Sequence, residues 1–252
     1  MKTNDRLLAA LALGALLPLL EATLPAQQKP PQPPQAEQVQ LRDLPAREFL
    51  AVIRNPLRAD AWSVITGKLT HARNGQPLLK GDVRLSIRLS ERKMITQITL
   101  NERNTYILDQ TYDRTDDGTK LELDLPRQET RPGLFDFGLR PDDLSFAFFY
   151  WDFLAEDTTA DDDRNGYRVM RLKHPQTPGA TVKVWFNAKH GFPVEARWLA
   201  PDGTTERQLE LKGAKRHANG LWFVREMRLE DGQGQWKTMV RFDYVEKNAI
   251  GQ

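Results

Sequence analysis

The sequence predicts a mainly β (α+β) chain built around one large antiparallel sheet. Three observations carry that expectation: apolar–polar alternation in many short segments, turn chemistry between them, and one helical stripe near the start. In Val83-Arg84-Leu85-Ser86-Ile87-Arg88-Leu89 the odd positions are all aliphatic and the even ones all polar, so a pleated strand has one dry and one wet face. Trp236-Lys237-Thr238-Met239-Val240-Arg241-Phe242-Asp243-Tyr244 repeats the pattern with even positions dry. One-sided strands make an antiparallel sheet covered on one face only, by a core, a helix or a ligand. What covers the dry face is therefore the question about function.

The chain opens with the parts of a secretory signal: Lys2 and Arg6, an apolar stretch over residues 7–20, and a small-residue exit at Leu24-Pro25-Ala26. Residues 1–26 are expected to be a cleaved signal peptide, which makes the mature protein periplasmic. The apolar stretch is about 14 residues, short of the roughly 20 that span a bilayer as a helix. No cysteine occurs, so there is no thiol to acylate and no disulfide framework, and stability rests on a hydrophobic core. Residues 27–40 are a Pro/Gln-rich linker, and residues 41–252 are expected to form a single domain without a membrane span.

Asp43 is placed to cap a short helix ending near Arg54, with Leu44, Phe49, Leu50, Val52 and Ile53 as its apolar stripe and Asn55-Pro56 as its stop. Such a helix is a natural cover for a sheet face. Strands are predicted over 62–71, 79–90, 94–101, 105–112 and 120–125, then over 166–173, 180–187, 193–199, 204–211, 221–230 and 235–245. Their separators, among them Arg73-Asn74-Gly75, Asp116-Asp117-Gly118, Ala200-Pro201-Asp202-Gly203 and Asp231-Gly232, carry turn chemistry. A sheet of about eleven strands must curl or close.

The segment 133–154 breaks the meander. Asp142-Asp143 is read as a helix cap, and residues 144–154 then hold six aromatics in eleven positions, with no single stripe. Such a segment is either sunk into the core between two halves of the sheet or pressed against an apolar ligand.

Signatures of catalysis are missing from the sequence: no Gly-x-Ser-x-Gly elbow, phosphate loop, His-Glu-x-x-His or dinucleotide fingerprint occurs. His71, His174, His190 and His217 are isolated and read as solvated loop residues. Asp161, Asp163 and Asn165, with Gly166 in sixth place, match the start of a calcium loop, but the twelfth position is Leu172 where a bidentate Glu is needed. The stretch is read instead as an acidic loop, and no metal or cofactor is expected. A net charge of +2 from interspersed charges offers no basic stripe for nucleic acid.

Several motifs carry a family resemblance: Asp143-Leu144-Ser145 running into Trp151-Asp152-Phe153, then Gly166-Tyr167-Arg168-Val169, then Val182-Lys183-Val184-Trp185-Phe186 leading to Phe192-Pro193-Val194-Glu195-Ala196. Gly220-Leu221-Trp222-Phe223-Val224 and Met227-Arg228-Leu229 follow. In pattern and order the chain resembles the LolA-like outer-membrane lipoprotein-sorting family, with more distant likeness to LolB and RseB-type proteins. The resemblance implies an unclosed β-barrel with helices over its concave face, enclosing a cavity that holds lipoprotein acyl chains between an inner-membrane donor and an outer-membrane acceptor. The family's Arg-Pro segment has no counterpart near Lys80-Gly81-Asp82, so no functional arginine carries over.

The expected function is that of a monomeric carrier or chaperone for lipidated protein or lipid. Its apolar contacts are assigned to Phe146, Phe149, Tyr150, Trp151 and Phe153, with Val83, Leu85 and Ile87 on an inward strand face. An acyl chain gains about 0.8 kcal/mol per buried methylene, so about ten methylenes reach micromolar affinity without a polar contact. An envelope protein-binding or sensing module is the alternative, and a hydrolase of an envelope polymer is a third reading.

Overall fold

The computed structural model describes residues 40–54, 61–90, 92–112, 119–213, 215–216 and 222–248. The expected signal peptide, nearly all of the linker, the Asn55-Pro56 stop and His217 lie outside the described residues.

A 3-10 turn at Leu41–Asp43 leads into α1 (Ala46–Ile53), so the helix starts two residues later than an Asp43 cap requires. The cause is Pro45. Its ring disfavours the helical region for the residue before it, Leu44 is extended at ψ 144°, and Pro45 itself takes the N-cap position without a side-chain cap. Phe49 and Leu50 face inward and are fully buried, whereas Val52 of the expected stripe is 50% exposed.

Five strands run outward as one meander: β1 (Ala61–Arg73), β2 (Leu79–Leu89), β3 (Lys93–Leu100), β4 (Asn104–Thr111) and β5 (Lys120–Asp124). After a central segment come β6 (Asp152–Glu156), β7 (Tyr167–Lys173), β8 (Thr181–Asn187), β9 (Pro193–Leu199), β10 (Thr205–Lys212), β11 (Lys215–Arg216), β12 (Trp222–Phe223), β13 (Glu226–Asp231) and β14 (Trp236–Asn248). Twelve of these form one antiparallel sheet in the order β5-β4-β3-β2-β1-β14-β13-β10-β9-β8-β7-β6, and β11 pairs with β12 alone. The two halves join where β1 pairs with β14, from Trp62↔Asn248 to Arg73↔Trp236. A bulge between Thr66 and Gly67 switches the buried phase along β1 from Val64 to Leu69 and His71.

The order makes β5 and β6 the two edges, although they are consecutive strands along the chain. The chain between them must therefore travel from one edge to the other. It does so through a 3-10 turn (Leu134–Phe137), α2 (Pro141–Ser145) and a second 3-10 turn (Ala147–Tyr150). On one side α2 lies against β2, β3 and β4. On the other, Phe149 meets Phe186 of β8 at 5.6 Å and Phe148 meets Trp198 of β9 at 5.3 Å, both edge to face. One segment touches both halves, so the sheet curves around it, and with no ladder between β5 and β6 it stays unclosed.

Three sequence readings are corrected. The end of the aromatic run is the edge strand β6, which raises the main sheet from about eleven to twelve strands; as an edge strand it has no clean alternation to reveal it. The strand expected over 221–230 is two, because Val224 turns into the core and Arg225 bonds across to Lys212 and Phe242 outside either ladder. The acidic loop is α3 (Ala160–Arg164), capped reciprocally by Thr159 and Asp162.

Candidate functional site

The buried face of the curved sheet carries a large apolar core and a smaller cluster of Met94, Leu108, Tyr112, Ala147 and Tyr150. Tyr112 and Tyr150 stack at 4.1 Å. Ile87 and Phe149 are partly buried and pack against both clusters, so they form the boundary between them. Of the other residues assigned from sequence, Val83, Leu85 and Trp151 are enclosed in the main core, and Tyr150 is buried in the smaller cluster. Phe146 and Phe153 pack against that core and are partly buried, with the Arg47 guanidinium 5.0 Å from the Phe153 ring centre. The sequence thus gathered residues of two kinds: sealed core, and the half-covered set Ile87, Phe146, Phe149 and Phe153, which an apolar molecule can touch.

Phe146 stands where α2 gives way to the second 3-10 turn, and its backbone is left-handed at φ 56°. An aromatic residue in that region costs of order 1–3 kcal/mol, so the surrounding contacts hold the chain there.

Polar groups fix the central segment inside the sheet. Arg54, after α1, donates from Nε to the Phe149 carbonyl at 2.9 Å and from Nη2 to the Trp151 carbonyl at 2.6 Å. Gln110 of β4 donates to the Ala147 carbonyl at 2.9 Å. Arg168 of β7 forks onto Glu156 at 2.9 and 2.7 Å and donates to the Leu44 carbonyl, just ahead of α1, at 2.6 Å. Side chains also bring the two edges together at one end. Thr119 donates its backbone N–H to Asp152 at 3.2 Å and its hydroxyl to the Tyr150 carbonyl at 2.5 Å, and Gln176 donates to the Leu121 carbonyl of β5 at 2.8 Å.

A buried polar group lies in the middle of this apolar region, and the sequence reading missed it. Asp143 and Arg207 form an ion pair at 2.8 Å with side chains 0% and 6% exposed. The Arg207 guanidinium lies 4.6 Å above the Trp198 ring. Asp142, beside them, is pushed up from 3.8 to about 6, first by burial and then by the Asp143 charge, against the pull of Arg207 and Arg140. The signal was there: Arg207 shares the dry phase of β10 with Leu209 and Leu211.

Two histidines are less solvated than expected, His71 within a strand and His174 half-buried in the loop after β7. His71 is buried on β1, where its Nδ1 lies 2.8 Å from the Thr238 hydroxyl, and that hydroxyl in turn donates to the Phe137 carbonyl. His174 packs at 4.5 Å from the Trp151 ring, and its Nδ1 accepts the backbone N–H groups of Gln176 and Thr177. Burial, ahead of nearby positive charge, pulls both imidazoles below their ordinary value. Asp161 and Asp163 pair with Arg164 and Arg42, and Asn165 donates to the Asp161 carbonyl. Among the described residues no group of three or more His, Asp or Glu side chains is placed to hold a metal ion.

No protein-family model matches the sequence, and no curated protein matches it. Solved structures do share the fold. A DUF1329 family protein from Desulfovibrio piger is 12% identical with a TM-score of 0.60, over 82% of this chain and 94% of that one. A structure named as an outer membrane lipoprotein-sorting protein domain, from Vibrio parahaemolyticus, is 15% identical with a TM-score of 0.58, over 84% and 94%. A LolA superfamily protein from Nitrosomonas europaea is 12% identical with a TM-score of 0.53, over 82% and 96%. At these identities the likeness is one of fold, and the fold is LolA-like.

Proposed function

We propose that this LolA-like chain is an exported, periplasmic carrier that holds the acyl chains of a lipidated protein or lipid in the hollow of its curved sheet. The observation that carries the reading is the half-covered apolar set at the boundary of two core clusters, Ile87 and Phe149 above all, inside a sheet that never closes. An unclosed sheet parts without breaking a strand ladder, and the covering segment is short helical turns held by a few side-chain bonds. Burial of about ten methylenes supplies around 8 kcal/mol, which is micromolar binding from area alone.

The test is titration of the purified protein with a fluorescent fatty acid and with a triacylated peptide. Stoichiometric uptake is expected, and Phe149→Asp at the boundary lowers affinity at least tenfold while the fold survives by circular dichroism. No uptake of either probe by the native chain sinks the proposal.

A further inference from the structure

Resting on the carrier reading, we propose that Arg207 and Trp198 form an internal polar subsite that receives an ester carbonyl oxygen of the bound lipid. Arg207 is a built feature of the interior. It occupies the dry phase of β10, its Nη1 bonds Asp143 Oδ2 at 2.8 Å, and its guanidinium lies 4.6 Å above the Trp198 ring. Yet its Nε and Nη2 have no hydrogen-bond partner, and neither has the indole nitrogen of Trp198. Nε and Nη2 carry three N–H groups and the indole one more, against a single open acceptor in the cluster, Asp143 Oδ1. A buried donor left unpaired costs about 1–3 kcal/mol, so this interior is short of acceptor oxygens.

Charge selects the kind of oxygen. The Arg207 cation is already matched by Asp143, and Asp142 lies within the same field, its carboxyl held protonated up to about 6. A phosphate or free carboxylate would bring a further negative charge to a place that already resists its second. An ester carbonyl brings two lone pairs and no charge. The walls suit the rest of the molecule: Phe148 meets Trp198 at 5.3 Å, and Leu209 and Leu211 continue the dry face of β10. Acyl chains then lie in the apolar region while the carbonyl that joins them to glycerol meets the guanidinium and the indole.

The experiment compares two ligands with the same chains, 1,2-dioleoylglycerol and its dialkyl ether counterpart, which lacks the carbonyls. Each displaces a fluorescent fatty acid from the purified protein. The diester is expected to bind about tenfold more tightly than the diether, the effect of one or two net hydrogen bonds. Trp198→Phe keeps the ring and removes one donor, and is expected to bring the ratio to about threefold. The double change Arg207→Met with Asp143→Leu removes the ion pair as a unit, which leaves no lone buried charge, and brings the ratio to about one with diether affinity unchanged. Equal native affinity for diester and diether overturns the subsite, its donors then being met by buried water, and leaves the carrier reading in place. A tenfold preference that survives in both variants overturns it too. Displacement by neither lipid while the fatty acid stays bound overturns the subsite and leaves the carrier reading in place, whereas failure of the fatty acid itself to bind overturns both.

Discussion

Arg54 reaches 97 positions along the sequence to donate its Nη2 to the carbonyl of Trp151, at 2.6 Å and in a buried setting. With its bond to the Phe149 carbonyl, it fastens the end of α1 to the aromatic stretch between α2 and β6. The helix and the central segment are therefore tied together by one cation that donates to two backbone oxygens.

Replacing Arg54 by Met keeps most of the apolar stem and strands both carbonyls. Stability is expected to fall by about 2–4 kcal/mol, since bonds to charged groups are worth about 1.5–3 kcal/mol each and act here together. Chemical denaturation measures the loss. Hydrogen exchange locates it, with faster exchange in α1 and residues 147–151 than in β8 and β9.

Asp142 sets a pH dependence of definite sign. Its folded value of about 6 lies above the ordinary 3.8, so between those values the folded chain binds the extra proton, and the stability it contributes is lost as pH rises through about 6. Asp142→Asn mimics the protonated form. It is expected to raise stability by about 2 kcal/mol at pH 8 and to change little at pH 4, read from urea midpoints at the two values.

The buried His71 works in the opposite direction. Its imidazole is held below 6.5, so the unfolded chain takes up the proton first, and stability falls as pH drops below about 6.5. Thr238→Val leaves the shape but removes the hydroxyl that joins the His71 nitrogen to the Phe137 carbonyl. A loss of about 2 kcal/mol is expected at pH 7, and His71→Gln should flatten the acid limb of the stability profile.

Gly191 turns the chain between β8 and β9 at φ 66°, and a Cβ there would stand 2.3 Å from the Ile53 Cγ2 atom of α1. Gly191→Ala is expected to cost about 2–3 kcal/mol, from backbone strain and from pushing the helix off the sheet. Adding Ile53→Ala should recover part of that loss, and a double-mutant cycle that comes out additive would falsify the contact as its cause.

Alternation made the sheet legible because each strand has one dry and one wet face, and ten of its twelve strands fall close to the expected ranges, while a further range divides at Val224 and Arg225. The edge strand β6 was hidden, since an edge carries no such discipline. The helix start was misplaced because a cap residue was weighed ahead of the proline two positions on. The apolar side of the candidate site could be read from the density of aromatics at 146–153, although which of them seal the core depends on the fold-back between distant strands. The polar side was written in a less familiar form. Gln110, Arg168, Arg207 and Thr238 each interrupt an apolar series in phase with it, and each is buried. A polar residue in the dry register of a strand must find a partner inside, which makes it a pointer to internal organisation.

The seam at Thr119, Asp152 and Gln176 also bears on the two open borders of the sheet. An open sheet presents two unpaired borders, each a template on which a second molecule can add a strand. Here the carbonyl of Leu121 on one border is taken by the Gln176 amide, and the start of the other is held by Thr119. One carbonyl of the β5 border is thus engaged from the loop after β7, and the start of β6 is tied through the Asp152 carboxylate, so parting the seam would free both ends of the sheet to accept a further strand.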